Sequence, residues 1–216
     1  RTSANRRYCD LDAYLWCDAT ALFRAGGDVN RSLHALAGAL RLARLDASGL
    51  AAFDTGWAGA RHSFLALLWA TPVLLAMILA QDRIYQEIEF GAAAIIARLA
   101  SALLGWLGFV LLLFPITRLL NRAERTNDFI TVFNWAQLVT LFLQAPPLLL
   151  GSLGLVSFGG YGFLVLSFLL IALIYKGYVA TVALNIAVIE AVLLVIGELL
   201  FDVSAELLLM RLFMAL

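Results

Sequence analysis

The sequence predicts an all-α integral membrane bundle of five transmembrane helices with an N-terminal interfacial amphipathic helix. Three observations carry that prediction. Hydrophobic residues make up 63% of the chain, charged residues 14%, and the mean hydropathy is +0.92, whereas a soluble domain is about 45–50% apolar and about 25% charged. Ionisable residues are gathered into islands, before Arg61, within 81–98 and within 118–128. Between the islands run apolar stretches near the roughly 20 helical residues that cross a bilayer. A net charge of zero gives no case for a nucleic-acid partner.

Residues 1–30 form a polar segment with no helical or strand period, and no element is assigned there. Without an apolar core the segment is not a signal peptide. The chain opens on Arg1 and its first methionine is Met77, which reads as a fragment, a processed form or a mistranslated start. Cys9 and Cys17 stand eight apart, a spacing that fits neither a zinc motif nor a thioredoxin motif, so free thiols are expected.

Residues 31–55 are expected to hold the interfacial helix and a turn. In RSLHALAGALRLARL, a rotation of about 100° per residue gathers Arg31, His34, Arg41 and Arg44 on one arc and Leu33, Leu36 and Leu40 on the other. Arg31, Arg41 and Arg44 are the candidate contacts to anionic headgroups; packing against the other helices is the competing expectation. The Asp46-Ala-Ser-Gly break follows, and Asp54 or Thr55 is the expected N-cap of the first span, with Trp57 at interface depth.

The spans are expected at about 56–80, 99–117, 129–150, 163–175 and 178–201, with 202–216 as a tail. Pro72 offers a kink in the first, Pro115 sits near the end of the second, and Pro146-Pro147 interrupts the third late. The fourth and fifth are separated by a tight link at Lys176-Gly177. Arg31, Arg41, Arg44, Arg61, Arg118, Arg122, Arg125 and Lys176 fall on one side of this topology, and Arg83, Arg98 and Arg211 on the other. The positive-inside rule then puts the amino end in the cytoplasm and the carboxyl end outside the cell membrane.

Polar side chains inside apolar helices are the candidate functional groups, because each must find a partner on another helix or in water. In NRAERTNDFITVFNWAQLV and the residues after it, Asn127, Thr131, Asn134, Gln137 and Gln144 occupy one half of the third span, which is expected to face the bundle. Glu190 falls near the middle of the fifth span, where a charged acid costs about 2.5–3.5 kcal/mol on insertion scales. Lys176 lies fourteen residues away, roughly 21 Å along a helix, and so is no partner for Glu190 on the same helix. Ala180, Ala183, Ala187 and Ala191 form a small-residue stripe with Glu198 at its centre, a face suited to close helix packing. The candidate intramembrane site is therefore Glu190, Glu198, Asn134, Gln137 and Gln144.

Catalytic patterns are missing. Both histidines, His34 and His62, precede the first span, which leaves the serine of GSLG without a base. There is no HExxH, no Walker loop and no dinucleotide loop. Gly160-Tyr161-Gly162 matches the end of a potassium-filter signature but follows Phe158-Gly159 instead of a Thr-Val pair. No enzyme activity, cofactor or metal is expected.

The segment NRAERTNDFITVFNWAQLV and the segment YKGYVATVALNIAVIEAVLLVIGELLFD resemble the Yip1-like group of membrane proteins, in particular a five-span alphaproteobacterial branch. RLARLDASGLAAFDTGWAGARHSF fits the same branch, and the likeness covers about 31–201. Its marks are the Phe133-Asn134-Trp135 core and a late acid in span five, Glu198 here in place of an expected Asp. The resemblance implies a five-helix bundle with a cytoplasmic amino region. The function expected from the residues is that of a non-catalytic protein that organises or binds partners in the bacterial inner membrane; the alternative is a small solute or proton-coupled transporter using an intramembrane Glu. The expected partners are membrane lipids and another membrane protein or a second copy of the chain.

Overall fold

The computed structural model describes residues 27–84 and 92–214. The expectations for Cys9, Cys17 and nearly all of the segment before residue 30 lie outside the described residues, as does most of the connection after Gln81. Helix α1 covers 27–43, and a 3-10 turn follows at Ala47–Ala52. Then come α2 (Gly56–Ser63), α3 (Leu65–Ile84), α4 (Ala92–Leu119), a second 3-10 turn (Ala123–Arg125), α5 (Thr126–Ser152), α6 (Phe158–Leu184) and α7 (Val188–Met214). Among the described residues all regular structure is helical.

Among the described residues four stretches are long and apolar enough to cross a bilayer: Gly56–Gln81, Ala94–Leu119, Ala123–Ser152 and Phe158–Leu184. The prolines do not end them. Pro72, Pro115, Pro146 and Pro147 all lie inside continuous helices, as happens where neighbouring helices hold the chain on both sides of the lost hydrogen bond.

The predicted boundary between spans four and five moves. Helix α6 runs straight through Lys176-Gly177 and ends at Asn185, which takes the left-handed conformation at φ 53°. Asparagine tolerates that region better than other residues with a side chain. Arg122 donates to the exposed Asn185 carbonyl from Nε at 3.1 Å and Nη2 at 3.0 Å, which ties the turn to the α4–α5 connection. The expected stripe of Ala180, Ala183, Ala187 and Ala191 is thereby split. Ala180 and Ala183 sit on α6, Ala187 in the turn and Ala191 on α7. Helix α7 is not among the four apolar stretches; it carries Glu190, Glu198, Asp202 and Glu206.

The helices alternate in direction. Ile84 and Tyr161 are the near neighbours of Gly151, so α3 ends, α5 ends and α6 begins at one end of the bundle. At the other end Asp128 accepts from the Gly56 backbone N–H at 2.6 Å. Helix α7 lies antiparallel to α4: Asp202 rests on Gly105 and Phe201 on Gly108. A β-carbon at either glycine would collide with those side chains, so the two helices approach this closely because neither position carries one.

Helix α5 is the centre of the bundle. It packs against α2, α3 and α6, and every residue from Phe129 to Thr140 except Gln137 is buried. The expectation that one half of this helix faces the bundle is too narrow. Both halves do, because neighbours flank α5 on several sides, and Trp135 and Leu138 are as enclosed as Asn134.

Helix α1 packs on the bundle through Ser32, Ala35, Ala39 and Leu42 and not through Leu33 and Leu40, which stay exposed. The small residues let the backbones approach. Tyr175 Oη donates to the Ala39 carbonyl at 3.1 Å, and Tyr178 Oη to that of Leu45 at 2.8 Å. The Leu33–Leu36–Leu40 face thus meets the bundle only through Leu36.

Candidate functional site

Two of the polar clusters among the described residues meet α5 a single helical turn apart, at Asn134 and at Gln137. The first is centred on Asn134, which is fully buried. Its Oδ1 accepts from Trp106 Nε1 at 2.8 Å, and its Nδ2 donates to Ser63 Oγ at 2.8 Å. Ser63 in turn donates to the Ala60 carbonyl at 2.7 Å. The chain of bonds joins α4, α5 and α2, and a buried amide with such partners fixes how helices dock.

The second cluster is centred on Glu198, of which 3% is exposed. Lys176 Nζ donates to its Oε1 at 2.8 Å, and Gln137 Nε2 donates to the same oxygen. A carboxylate in an apolar interior needs this company, since an uncompensated charge there costs several kcal/mol. Lys176 is equally dependent on Glu198. The pair explains why α6 need not break at Lys176.

Glu198, Lys176 and Gln137 form part of the wall of a cavity of about 400 Å³, bounded by α3 to α7. The cavity occupies the half of the bundle near the α3–α4 connection, since its α3 residues are Leu74 to Gln81 and its α4 residues Arg98 to Trp106. Its other polar groups are Gln81, Arg98, Ser101, Thr140, Gln144, Asp202 and Glu206. Arg98 donates to Gln81 Oε1 at 3.2 Å. Thr140 Oγ is buried and has no hydrogen-bond partner.

Beyond the Glu198 cluster, toward the opposite end, lies a void of about 10 Å³, at the lower limit for one water. It shares Gln137, Lys176 and Glu198 with the cavity and is otherwise lined by apolar groups including Phe109, Phe129 and Phe133. Those rings stack as a unit, with centroids 5.5 Å apart for Phe109–Phe133 and 6.0 Å for Phe129–Phe133. The cavity is therefore floored by a polar triad and then by packed aromatic rings.

The structure brings together three of the predicted site residues, Glu198, Gln137 and Gln144, on the cavity wall. Asn134 stands behind it, bonded to the wall residue Trp106. Glu190 is elsewhere: it lies in the first turn of α7, and its Oε2 accepts from the Ala187 backbone N–H at 2.9 Å. Ala187 begins the helix by accepting the first bond, from Ala191 N–H at 3.0 Å, so Glu190 is the returning half of a capping box. The central position expected for it followed from placing the helix start at Tyr178, ten residues early. Arg31 is occupied by Asp54, with bonds of 2.7 and 2.9 Å, while Arg41 and Arg44 are exposed.

Lys176, Arg98, Gln81, Thr140, Asp202 and Glu206 are not among the site residues expected from the sequence. One signal was available for the acids: Glu198, Asp202 and Glu206 recur every four residues, which puts them on one helix face. Among the described residues no group of three or more His, Cys, Asp or Glu side chains is gathered to hold a metal ion. No family model matches the chain, and no curated protein or solved structure matches it either.

Proposed function

We propose that this chain is a small membrane carrier that takes a polar solute into the cavity bounded by α3 to α7. The observation that carries the reading is the cavity itself, about 400 Å³ with two cations, three carboxylates and three carboxamides on its wall. Ionisable residues inside a membrane bundle are expensive and gather where a substrate passes. The size lies within the range of small-molecule sites. The Glu198–Lys176–Gln137 floor and the aromatic cluster behind it supply the closed side that alternating access requires.

In this reading α7 is the fifth span. It lies antiparallel against α4, and its acids Glu198, Asp202 and Glu206 turn to the cavity. The arginines that remain at the α1 end, Arg41, Arg44, Arg118, Arg122 and Arg125 among them, put that end in the cytoplasm of a bacterial inner membrane. Lys176 leaves that count, because it is inside a helix. Helix α1 then lies at the cytoplasmic headgroups with Arg41 and Arg44 outward. Membership of the Yip1-like group is part of the same proposal and rests on the Phe133-Asn134-Trp135 core.

The test is uptake into proteoliposomes across a panel of labelled amines, acids, zwitterions and neutral polyols. Gln144→Leu, which removes a wall amide without touching the Lys176–Glu198 pair, should lower uptake while the protein still elutes as a folded species. A parent protein that moves none of the panel sinks the carrier reading. An organising role is the second reading, favoured by the exposed Leu33, Leu40, Arg41 and Arg44 on the outer face of α1. Mass spectrometry from native lipid, with Arg41→Glu/Arg44→Glu as control, would show a partner lost with the charge reversal; a partner-free preparation counts against it.

A further inference from the structure

The charges on the cavity wall are not equally engaged. Lys176 is held by Glu198 at 2.8 Å, and Arg98 donates to Gln81. Asp202 and Glu206, one helical turn apart on α7, are in no ion pair among the described residues. Counting Arg98 and Lys176 against Glu198, Asp202 and Glu206, the wall carries one negative charge in excess when all are ionised. The carboxylate of Asp202 rests directly on Gly105, where no side chain stands in the way.

On α5, Thr140 lines the same cavity, and its hydroxyl is buried with no hydrogen-bond partner. A buried hydroxyl without a hydrogen bond costs stability, and an occupant with a donor or acceptor at that point removes the cost. Apart from Ser101, Gln137 and Gln144, most of the remaining wall is apolar, with Leu74, Met77, Leu141, Leu169 and Leu173.

Resting on the carrier reading, we infer that the solute is a small organic cation: a primary or secondary ammonium on a short hydrocarbon chain. The ammonium donates to Asp202 and Glu206 in charge-assisted bonds. Thr140 meets a polar substituent, and the hydrocarbon lies along the leucines. A carboxylate of the same size would meet two acids that are in no ion pair among the described residues, while both cations of the wall already donate hydrogen bonds. A bare metal ion is disfavoured by geometry, as it would need several oxygen ligands converging on one point.

The experiment compares butylamine with butyrate, equal in chain length and opposite in charge, in the proteoliposome assay and as competitors of any panel solute that enters. Butylamine is expected to be taken up or to compete, and butyrate not. Asp202→Asn should weaken the butylamine effect roughly tenfold or more. Gly105→Ala should do the same by displacing the Asp202 carboxylate, and Glu206→Gln serves where either variant fails to fold. Preference for butyrate, or a butylamine effect unmoved by all three folded variants, overturns the cation assignment while uptake of another solute preserves the carrier. If nothing in the panel enters and neither probe competes, the carrier reading falls and this inference with it.

Discussion

Asn134 and Glu198 are both buried polar residues in apolar helices, and their surroundings differ in kind. Asn134 has each end of its amide taken, by Trp106 and by Ser63, and is fully buried. Glu198 also has its donors, Lys176 and Gln137, yet its cluster faces a cavity of about 400 Å³ on one side and a small apolar void on the other. One cluster locks α2, α4 and α5 together. The other holds two opposite charges on the wall of a cavity. Burial of a polar group, taken alone, does not tell a strut from a site; the volume beside it does.

The comparison breaks most sharply at Lys176. Lys176→Met leaves Glu198 buried without its counter-charge and should cost about 3–5 kcal/mol, read as a lower midpoint of thermal unfolding in detergent. Adding Glu198→Gln should restore much of that loss, and solute uptake should stay absent in both. Restored uptake in the double variant would show that the pair is a strut like Asn134.

Asn134→Ala strips partners from Trp106 and Ser63 and should cost about 2–3 kcal/mol. Because Asn134 does not touch the cavity, the ratio of amine to acid uptake should be unchanged in whatever protein folds. A changed ratio would make the sealed cluster part of the site.

Glu190→Ala removes one cap bond at the start of α7 and should cost about 0.5–2 kcal/mol. Uptake per folded molecule should match the parent; loss of uptake with normal stability would return Glu190 to the solute path.

The smallest effect lies at Asp46, outside the bundle. Hydrogen bonds from Ser48 hold its carboxyl below the ordinary value, with Arg41 adding a smaller electrostatic contribution in the same direction. A depressed folded-state value means stability that is present above the unfolded value of 3.8 and is lost as pH falls through the lower one. Asp46→Ala should therefore narrow, slightly, the gap in melting temperature between pH 7 and pH 3; an unchanged gap would show that the turn is held by its backbone alone.

Much of the fold is legible in the sequence. The apolar runs between charged islands locate the first three spanning helices, and Asn134, Gln137 and Gln144 announce a polar interior on α5. Composition alone determined this, because a long apolar helix is a local sum over its own residues. Lys176-Gly177 reads as a break by the same local logic, a charge followed by a poor helix former. Only the tertiary structure overrules it, since Glu198, which neutralises Lys176, lies 22 positions away on another helix. Moving the turn to Asn185 then carries Glu190 to a helix cap and turns Asp202 and Glu206 from a tail into a cavity wall. The central place of α5 is likewise decided by which helices surround it, and no residue within α5 records that. Hydropathy says that a segment must leave water; which charges meet, and whether space remains beside them, depends on distances between segments.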